Sequence, residues 1–423
     1  MISIINADAI KWAANYDGPL FHALFTDAPY HLTSITKRFG KKDSKPATRG
    51  KDGSFRRLSR GFMNNTWDGG DLAFRPKTWK AFKRILYPGA FGMAFASSRG
   101  WHRMAVAIED AGFVIHPTIF LWAYASGFPK ATKIKNDPRF DGHRYGLQAL
   151  KPAVEPIIVF QKPYAGRPLD NITESGAGTL NINAGRIGAE NIPINRCTDS
   201  MHPFGNGAGN NYQTVQSKGR WPANFVLDSE SAEILDEQTG ILESGKFEDH
   251  HVITTKCIFN GGKRSSHPQA ASYGDKGGAS RFFYQIQGQL DEADPVYYCS
   301  KASTNEKEAG LAINDGRKTL IDNPYQRGET IRKNPHPTVK PLDLCRHLAS
   351  LLLPPGEFYP RRLFVPFSGV ASECIGAHLA GWDQITGVES DTKNGYIEVA
   401  QKRIEFWTSK PVELDLFTQK AIP

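Results

Sequence analysis

The sequence predicts an α/β protein with a mostly parallel sheet covered by helices on both faces. Short apolar strands alternate with helical patterns along much of its length, the signature of such a layered fold. Near the C-terminus, an apolar run from Leu363 to Val365 passes through a turn of small residues at Ser368 to Ser372. It continues as a helical pattern that stops at Gly381. A second apolar run, Ile385 to Val388, then delivers Glu389, 20 positions after Gly369. This is the layout of a Rossmann-like βαβ unit, in which small residues let the backbone approach a nucleoside and the acid accepts hydrogen bonds from ribose hydroxyls. Close to the N-terminus, the strand Phe21 to Thr26 runs directly into Asp27-Ala28-Pro29-Tyr30. An acid, a rigid turn and an aromatic at the carboxyl end of a strand stand where open α/β sheets keep their ligands.

In chain order, Ile2 to Ile5 is a β-branched strand that leads to Asp8, and a helix is expected from Ala9 to Tyr16. Asp8 suits a helix cap. After Phe21 to Thr26, an amphipathic helix is expected from Trp79 to Leu86, ended by Pro88-Gly89, and a strand from Phe91 to Ala96. Trp101 to Asp110 reads as a helix with Gly112 placed to cap it. Strands are expected over Ile115 to Trp122 and Ile157 to Phe160, and a helix over Leu342 to Leu353, closed by Pro354-Pro355-Gly356. Beyond Glu389, Tyr396, Val399, Ala400, Ile404 and Trp407 recur at helical spacing and read as a core stripe rather than a binding face.

The chain has 423 residues, long enough for two domains. No apolar run approaches the ~18 residues of a membrane span, and the N-terminal residues lack a signal-peptide pattern, so a cytoplasmic protein is expected. Five cysteines are scattered singly, which excludes a disulfide framework and a metal knuckle, and no metal site is expected. The adjacent His250 and His251 read as a surface pair, since no Cys or acid spacing supports a metal. The formal net charge is +9. Almost all of that excess falls between His31 and Arg60, where ten Lys or Arg, among them Lys37, Arg38, Lys41, Lys42, Arg56 and Arg57, face two acids. Such a cluster is either a solvated loop or an arm that grips nucleic-acid phosphates.

From about Tyr164 to residue 290 the chain is rich in Gly, Asn and Ser, with few periodic patterns. A second compact unit or a set of long loops fits this stretch better than a core domain does. Arg186, Arg220, Lys263, Arg264 and Arg281 are interleaved there with Tyr212, Trp221, Phe282, Phe283 and Tyr284, a mixture suited to holding a backbone and stacking on bases.

Asp27-Ala28-Pro29-Tyr30 resembles the Asp-Pro-Pro-Tyr signature of DNA amino-methyltransferases. Pro366-Phe367-Ser368-Gly369 resembles their Phe-x-Gly cofactor loop, and His336-Pro337-Thr338-Val339-Lys340-Pro341 resembles the element these enzymes place before it. With the tetrad N-terminal and the cofactor loop C-terminal, the order resembles the circularly permuted β class. Gly127 to Lys130, Lys151 to Pro156, Gly219 to Asn224 and Tyr298 to Ala302 resemble phage and prophage members, so the likeness covers most of the chain.

The resemblance implies a Rossmann-like S-adenosylmethionine-dependent methyltransferase fold, circularly permuted, with an inserted irregular target-recognition region. It divides the chain into a catalytic half at 1–163 with a basic loop at 31–70, a target-recognition region at 164–330, and a cofactor-binding half at 331–423. Asp27, Ala28, Pro29 and Tyr30 would be catalytic. Asp8, Thr338, Lys340, Pro366, Phe367, Ser368, Gly369 and Glu389 would bind S-adenosylmethionine. Lys37, Arg38, Lys41, Lys42, Arg56, Arg57 and Arg220 would bind double-stranded DNA. A homodimer and a cognate restriction nuclease are compatible with it, in a bacterial or phage-infected cell. An acid at the head of the tetrad favours adenine N6 over cytosine N4. A methyltransferase for RNA or protein amide nitrogen and a non-enzymatic DNA-binding homologue stay open. The sequence departs from the family at Ala28, which keeps the carbonyl but loses the fixed φ of proline, and at Ala371, where a second glycine is usual.

Overall fold

The computed structural model describes residues 1–30, 71–127, 129–197, 212–243, 252–256, 264–268, 275–286, 304–311, 317–319, 330–332, 334, 336, 339–390 and 394–409. These fall into two compact units, one drawn from Met1–Gly185, Asn224–Glu230 and Ile286–Glu413, the other from Arg186–Ala223 and Ser231–Gln285. The basic segment at 31–70, with Lys37, Arg38, Lys41, Lys42, Arg56 and Arg57, lies outside the described residues, as do His250, His251 and Lys263.

In the first unit the chain opens with β1 (Ile2–Asn6) and α1 (Ala9–Asn15). Asp8 caps α1, its Oδ1 accepting from the amides of Ile10 at 3.0 Å and Lys11 at 2.9 Å. β2 (Phe21–Thr26) is buried along its whole length, as a central parallel strand requires. α2 (Pro76–Arg84) starts with proline in its first turn and ends with Lys83 and Arg84, which suits both its termini. It begins earlier and ends sooner than the sequence suggests, because Leu86 already belongs to β3 (Leu86–Phe95). Pro88-Gly89 therefore lies inside a strand rather than ending a helix. α3 (Trp101–Asp110) follows, and Gly112, at φ +87°, donates its amide to Glu109 O at 2.7 Å as the expected cap.

The strand expected over Ile115 to Trp122 is broken into β4 (Val114–Ile115) and β5 (Phe120–Ala123). Pro117 cannot donate to a ladder, and the Thr118 amide turns back to His116 Nδ1 at 3.2 Å. β6 (Val154–Gln161), α4 (Pro168–Ser175) and β7 (Phe225–Asp228) come next. After them stand α5 (Leu342–Leu352), β8 (Arg362–Pro366), α6 (Ser372–Leu379), β9 (Gln384–Glu389) and α7 (Tyr396–Ser409).

These strands form one sheet in the order β1-β9-β8-β2-β3-β6-β5-β7. All these neighbours are parallel except β6, which runs antiparallel to β3, β4 and β5. From β8 the chain crosses through α6 to β9 on one side, whereas from β2 it crosses through α2 to β3 on the other. The connections diverge between β8 and β2, so a crevice opens at the carboxyl ends of these two strands. Thr26 Oγ1 ties them there by donating to Pro366 O at 2.7 Å.

Beneath this crevice lies an aromatic core. Trp79 and Phe160 meet edge to face at 5.6 Å, as do Phe82 and Phe364 at 5.4 Å. All four are fully buried, and each contributes on the order of 2–3 kcal/mol through the apolar area it removes from water. Phe82 also meets Phe367 edge to face at 5.8 Å, which anchors the loop after β8 to the core.

Among its described residues the second unit holds antiparallel hairpins and most of a helix at Ser229–Thr239. Ile187–Cys197 pairs with Tyr212–Arg220, with an irregularity between Lys218 and Arg220. Gly219 sits there at φ +72°, and a Cβ would meet Gly188 O at 2.5 Å, so only glycine fits. Shorter pairs join Leu242–Glu243 to Lys276–Gly277 and Val252–Lys256 to Arg264–Pro268.

Candidate active site

The crevice is a cavity of about 1050 Å³, counted out to its open mouth. Residues at or just beyond the carboxyl ends of β1, β2, β8 and β9 line it: Asp8, Asp27 to Tyr30, Phe367 to Val370, and Glu389 with Ser390. Ser372 and Glu373 from the start of α6 complete the wall, together with His336, Val339, Lys340 and Tyr396. The motifs at opposite ends of the chain therefore share one cavity because their strands are neighbours.

Lys340 is the centre of a polar cluster. Its Nζ lies 2.9 Å from Asp27 Oδ2 and 3.5 Å from Glu155 Oε2, and donates to Tyr30 OH at 3.0 Å. Tyr30 OH in turn donates to Glu155 Oε2 at 3.4 Å. The ammonium also lies 5.0 Å from the centre of the Tyr30 ring and 4.9 Å from that of Phe95. Lys340 is only 4% exposed. Burial alone would discharge it, but the carboxylates of Asp27 and Glu155 outweigh that and keep it charged well beyond neutral pH.

The acids feel the opposite pressure. Burial raises the pKa of Asp27, and Lys340 works against that rise. Burial, then the nearby charge of Asp27, pushes Glu373 up to about 7. Burial and the same acids hold the Tyr30 phenol well above its ordinary value. The cluster is thus an ammonium shared among carboxylates that have little water to solvate them.

The loop after β8 is wound by alternate left-handed residues: Phe367 at φ +58°, Gly369 at +51° and Ala371 at +66°. Ala371 adopts the conformation for which glycine is usual. A Cβ on Gly369 would meet His336 Nε2 at 3.0 Å, so glycine there permits a close approach. Ser368 Oγ is buried and has no hydrogen-bond partner among the described residues. Glu389 Oε2 accepts from the Gly369 amide and Oε1 from the Ser390 amide, each at 2.8 Å. Arg403, fully buried on α7, braces the loop by donating to Val370 O at 2.5 Å and Ser372 Oγ at 3.2 Å.

Of the residues singled out in the sequence, Asp8, Asp27, Ala28, Pro29, Tyr30, Lys340, Phe367, Ser368, Gly369 and Glu389 all line the cavity. Thr338 lies outside the described residues. Pro366 does not line the cavity: it is the last residue of β8, buried, with its carbonyl held by Thr26. Lys340, expected on the cofactor, lines the cavity and also bridges Asp27 and Tyr30. Arg220, expected on DNA, is clasped within its own unit. It pairs with Asp275 at 2.9 Å and lies over Phe282 at 5.5 Å, while Arg281 holds the same carboxylate at 2.8 Å. Burial disfavours the Asp275 carboxylate, but hydrogen bonds from Arg281 and Arg220 more than compensate and keep its pKa low. Tyr396, read as core, is a cavity residue whose ring packs on His336 at 4.7 Å.

Sequence reasoning gave no role to Glu155 or Glu373. Glu155 stands in the segment Lys151 to Pro156, whose likeness was visible without its function. Glu373 is an ordinary acid in the first turn of a helix, and only its burial marks it.

Strand order and cavity together define an α/β protein of the Rossmann-like class with an acid-rich ligand site at its switch point. In sequence the chain is homologous to a Type II DNA methyltransferase. It is 27% identical over 205 residues to the Type II methyltransferase M.HindIII of Haemophilus influenzae, a match that covers 43% of this chain and 65% of that relative. The chain therefore spans less than two thirds of that relative's length. No family model matches it. Among solved structures it is similar to M1.HpyAVI in its SAM complex, with TM-score 0.36, 13% identity, and 95% of this chain and 100% of that one covered. It is also similar to the cytosine-N4-specific PvuII DNA methyltransferase, with TM-score 0.40, 10% identity, and 97% and 93% covered. At such scores the fold rests on the strand order itself.

Proposed function

We propose that the protein is an S-adenosylmethionine-dependent DNA methyltransferase that modifies an exocyclic amino group of a flipped base, adenine N6 in preference to cytosine N4. The observation that carries this reading is the charge of the cavity. Among the described residues four acidic side chains line it, Asp8, Asp27, Glu389 and Glu373, the last holding its proton up to about pH 7, against one ammonium, Lys340, which Asp27 already engages. Such a lining suits a sulfonium cation and would repel the pyrophosphate of a dinucleotide. The buried Ser368 hydroxyl and the close-approach glycine at 369 fit the same ligand.

When bound, S-adenosylmethionine supplies an electrophilic methyl group. Glu389 would accept from its ribose hydroxyls and Asp8 from its adenine amino group, with Ser368 and Gly369 under the methionine end and Thr338 as a further contact. On the other side of the cavity, the Asp27 carboxylate and the Ala28 carbonyl accept hydrogen bonds from the target amino group. That draws its lone pair out of conjugation with the ring and toward the methyl carbon. Tyr30 stacks on the base once it has left the duplex. Asp27 would take up the amine proton released as the amine nitrogen gains the methyl group and the sulfonium leaves as a thioether. No covalent enzyme intermediate is needed, so positioning supplies much of the barrier reduction. The region 164–330 would read the DNA sequence, and Lys37, Arg38, Lys41, Lys42, Arg56 and Arg57 would hold the backbone. The preference for adenine rests on the acid at the head of the tetrad.

Modified-base sequencing of DNA from cells that express the protein tests base, site and activity together. Methylated adenine at one recognition sequence is the expected result, lost in Asp27→Ala while S-adenosylmethionine binding by calorimetry persists. Unmodified DNA from the wild type, or full transfer by Asp27→Ala, would refute the reading.

A further inference from the structure

We propose that Glu155 and Lys340 are a positioning pair that sets Asp27 and Tyr30 in working geometry before a base arrives; this rests on the methyltransferase reading above. An ammonium has three N–H donors, and Lys340 has three acceptors around it: Asp27 Oδ2, Tyr30 OH and Glu155 Oε2. Every donor is thus matched, and the side chain has almost no solvent to turn toward. Glu155 closes the ring through its contact with the Tyr30 hydroxyl.

The residues of this ring come from separate parts of the chain. Asp27 and Tyr30 follow β2, Glu155 belongs to the antiparallel strand β6, and Lys340 precedes α5. Lys340 on Oδ2 and a hydrogen bond from Tyr30 fix the orientation of the Asp27 carboxyl before an amino group arrives. Because Tyr30 is held at its hydroxyl by two partners, its ring plane is fixed before any base stacks on it. A shift of about 1 Å in either group is enough to cost about 100-fold in rate.

Four groups face the Asp27 carboxyl: Lys340, Glu155, Tyr30 and, through space, Glu373. Removing the cation and removing its counter-acid therefore have opposite electrostatic consequences. Lys340→Met takes away the charge that favours ionised Asp27 and should move its titration upward. Glu155→Gln takes away a like charge and should move it downward.

The test follows the Asp27 carboxyl carbon by 13C NMR in aspartate-labelled protein, assigned by its loss in Asp27→Asn. The same variants are assayed for methyl transfer at the site found by sequencing. Both should bind S-adenosylmethionine within about threefold of wild type and lose about 10- to 100-fold in kcat. The acid limb of the rate profile should rise in Lys340→Met and fall in Glu155→Gln, as the NMR titration does. Fluorescence of 2-aminopurine at the target position would report whether the flipped base still stacks in Glu155→Gln, and an unstacked, brighter signal is expected. Titrations that move together or not at all, or an unchanged kcat in both variants, would overturn the pairing. Since the NMR titration needs no activity, a wild type that transfers no methyl group would refute the methyltransferase reading without deciding the ring's geometry.

Discussion

Replacing Glu373 by glutamine should stabilise the protein above neutral pH and leave it nearly unchanged in acid. Glu373 sits in the first turn of α6 and is 4% exposed. Burial, then the charge of Asp27, raises its pKa from 4.5 to about 7, against the pull of its own backbone amide, Lys340 and Arg403. A raised carboxyl pKa means that the folded state holds its proton more tightly than the unfolded chain does. Stability therefore falls as pH rises from about 4.5 to about 7, while the unfolded chain is ionised and the fold resists ionisation, and is level above that window. At about 1.4 kcal/mol per pH unit, the loss amounts to about 3 kcal/mol. Glutamine keeps the volume and an acceptor oxygen but cannot ionise. The stability difference between variant and wild type should then be level below about pH 4.5, climb by about 3 kcal/mol to about pH 7, and be level again beyond it. Equilibrium urea denaturation across that range, followed by circular dichroism, measures the difference directly. Subtraction removes the other titrating groups. Stability profiles that run parallel at all pH values would refute the account of Glu373 as a protonated, buried acid.

Glu389→Ala removes the acceptor of two amide hydrogen bonds and the expected ribose contact. Charge-assisted bonds of this kind are worth about 1.5–3 kcal/mol, so S-adenosylmethionine affinity by calorimetry should fall by about 10- to 100-fold. An affinity within about threefold of wild type would remove Glu389 from the ligand site. Ala371→Gly should be close to neutral in thermal denaturation, because relief of the left-handed cost, about 1–2 kcal/mol, is offset by loss of a buried methyl at about 0.8 kcal/mol and by added chain entropy. Ala371→Val, by contrast, places a β-branched residue at φ +66° and should destabilise by about 2 kcal/mol or more. Replacing Lys37, Arg38, Lys41 and Lys42 by glutamine should weaken DNA binding evenly across sequences and lower its salt slope by about 3 to 4. An unchanged slope would return the segment to a solvated loop.

Much of the first unit was legible because its strands are short apolar runs with polar punctuation. The strand Phe21–Thr26 and the helix Trp101–Asp110 coincide with the elements expected from the sequence. Where the two differ, a local signal carried two meanings. Pro88-Gly89 looks like a helix stop, yet α2 ends at Arg84 and the pair lies within β3. The apolar run in Val154–Gln161 announces a buried strand but not its direction, and β6 is antiparallel to its neighbours. In the second unit, the hairpins, one of them with Gly219 at an irregularity, carry little periodicity, so the same composition could serve loops or strands.

The site divides along a similar line. Residues at strand ends, such as Asp27 just after β2 and Glu389 at the end of β9, were visible because strand ends in a parallel sheet converge. Glu155 and Glu373 were not, since an acid beside a strand end or in a first helical turn is commonplace until its burial and its neighbours are known. Lys340 was visible, but its direction was not: it reaches back 310 positions to Tyr30, which only the adjacency of β8 and β2 makes possible. Ala371 makes the opposite case. Its letter departs from the glycine fingerprint, yet its backbone keeps φ +66°, the conformation that the glycine would have supplied. The fingerprint is therefore best understood as a demand on the turn. The chain can meet that demand with alanine, at the cost of local strain, when Phe367 is fixed to the core on one side and Arg403 braces the loop on the other.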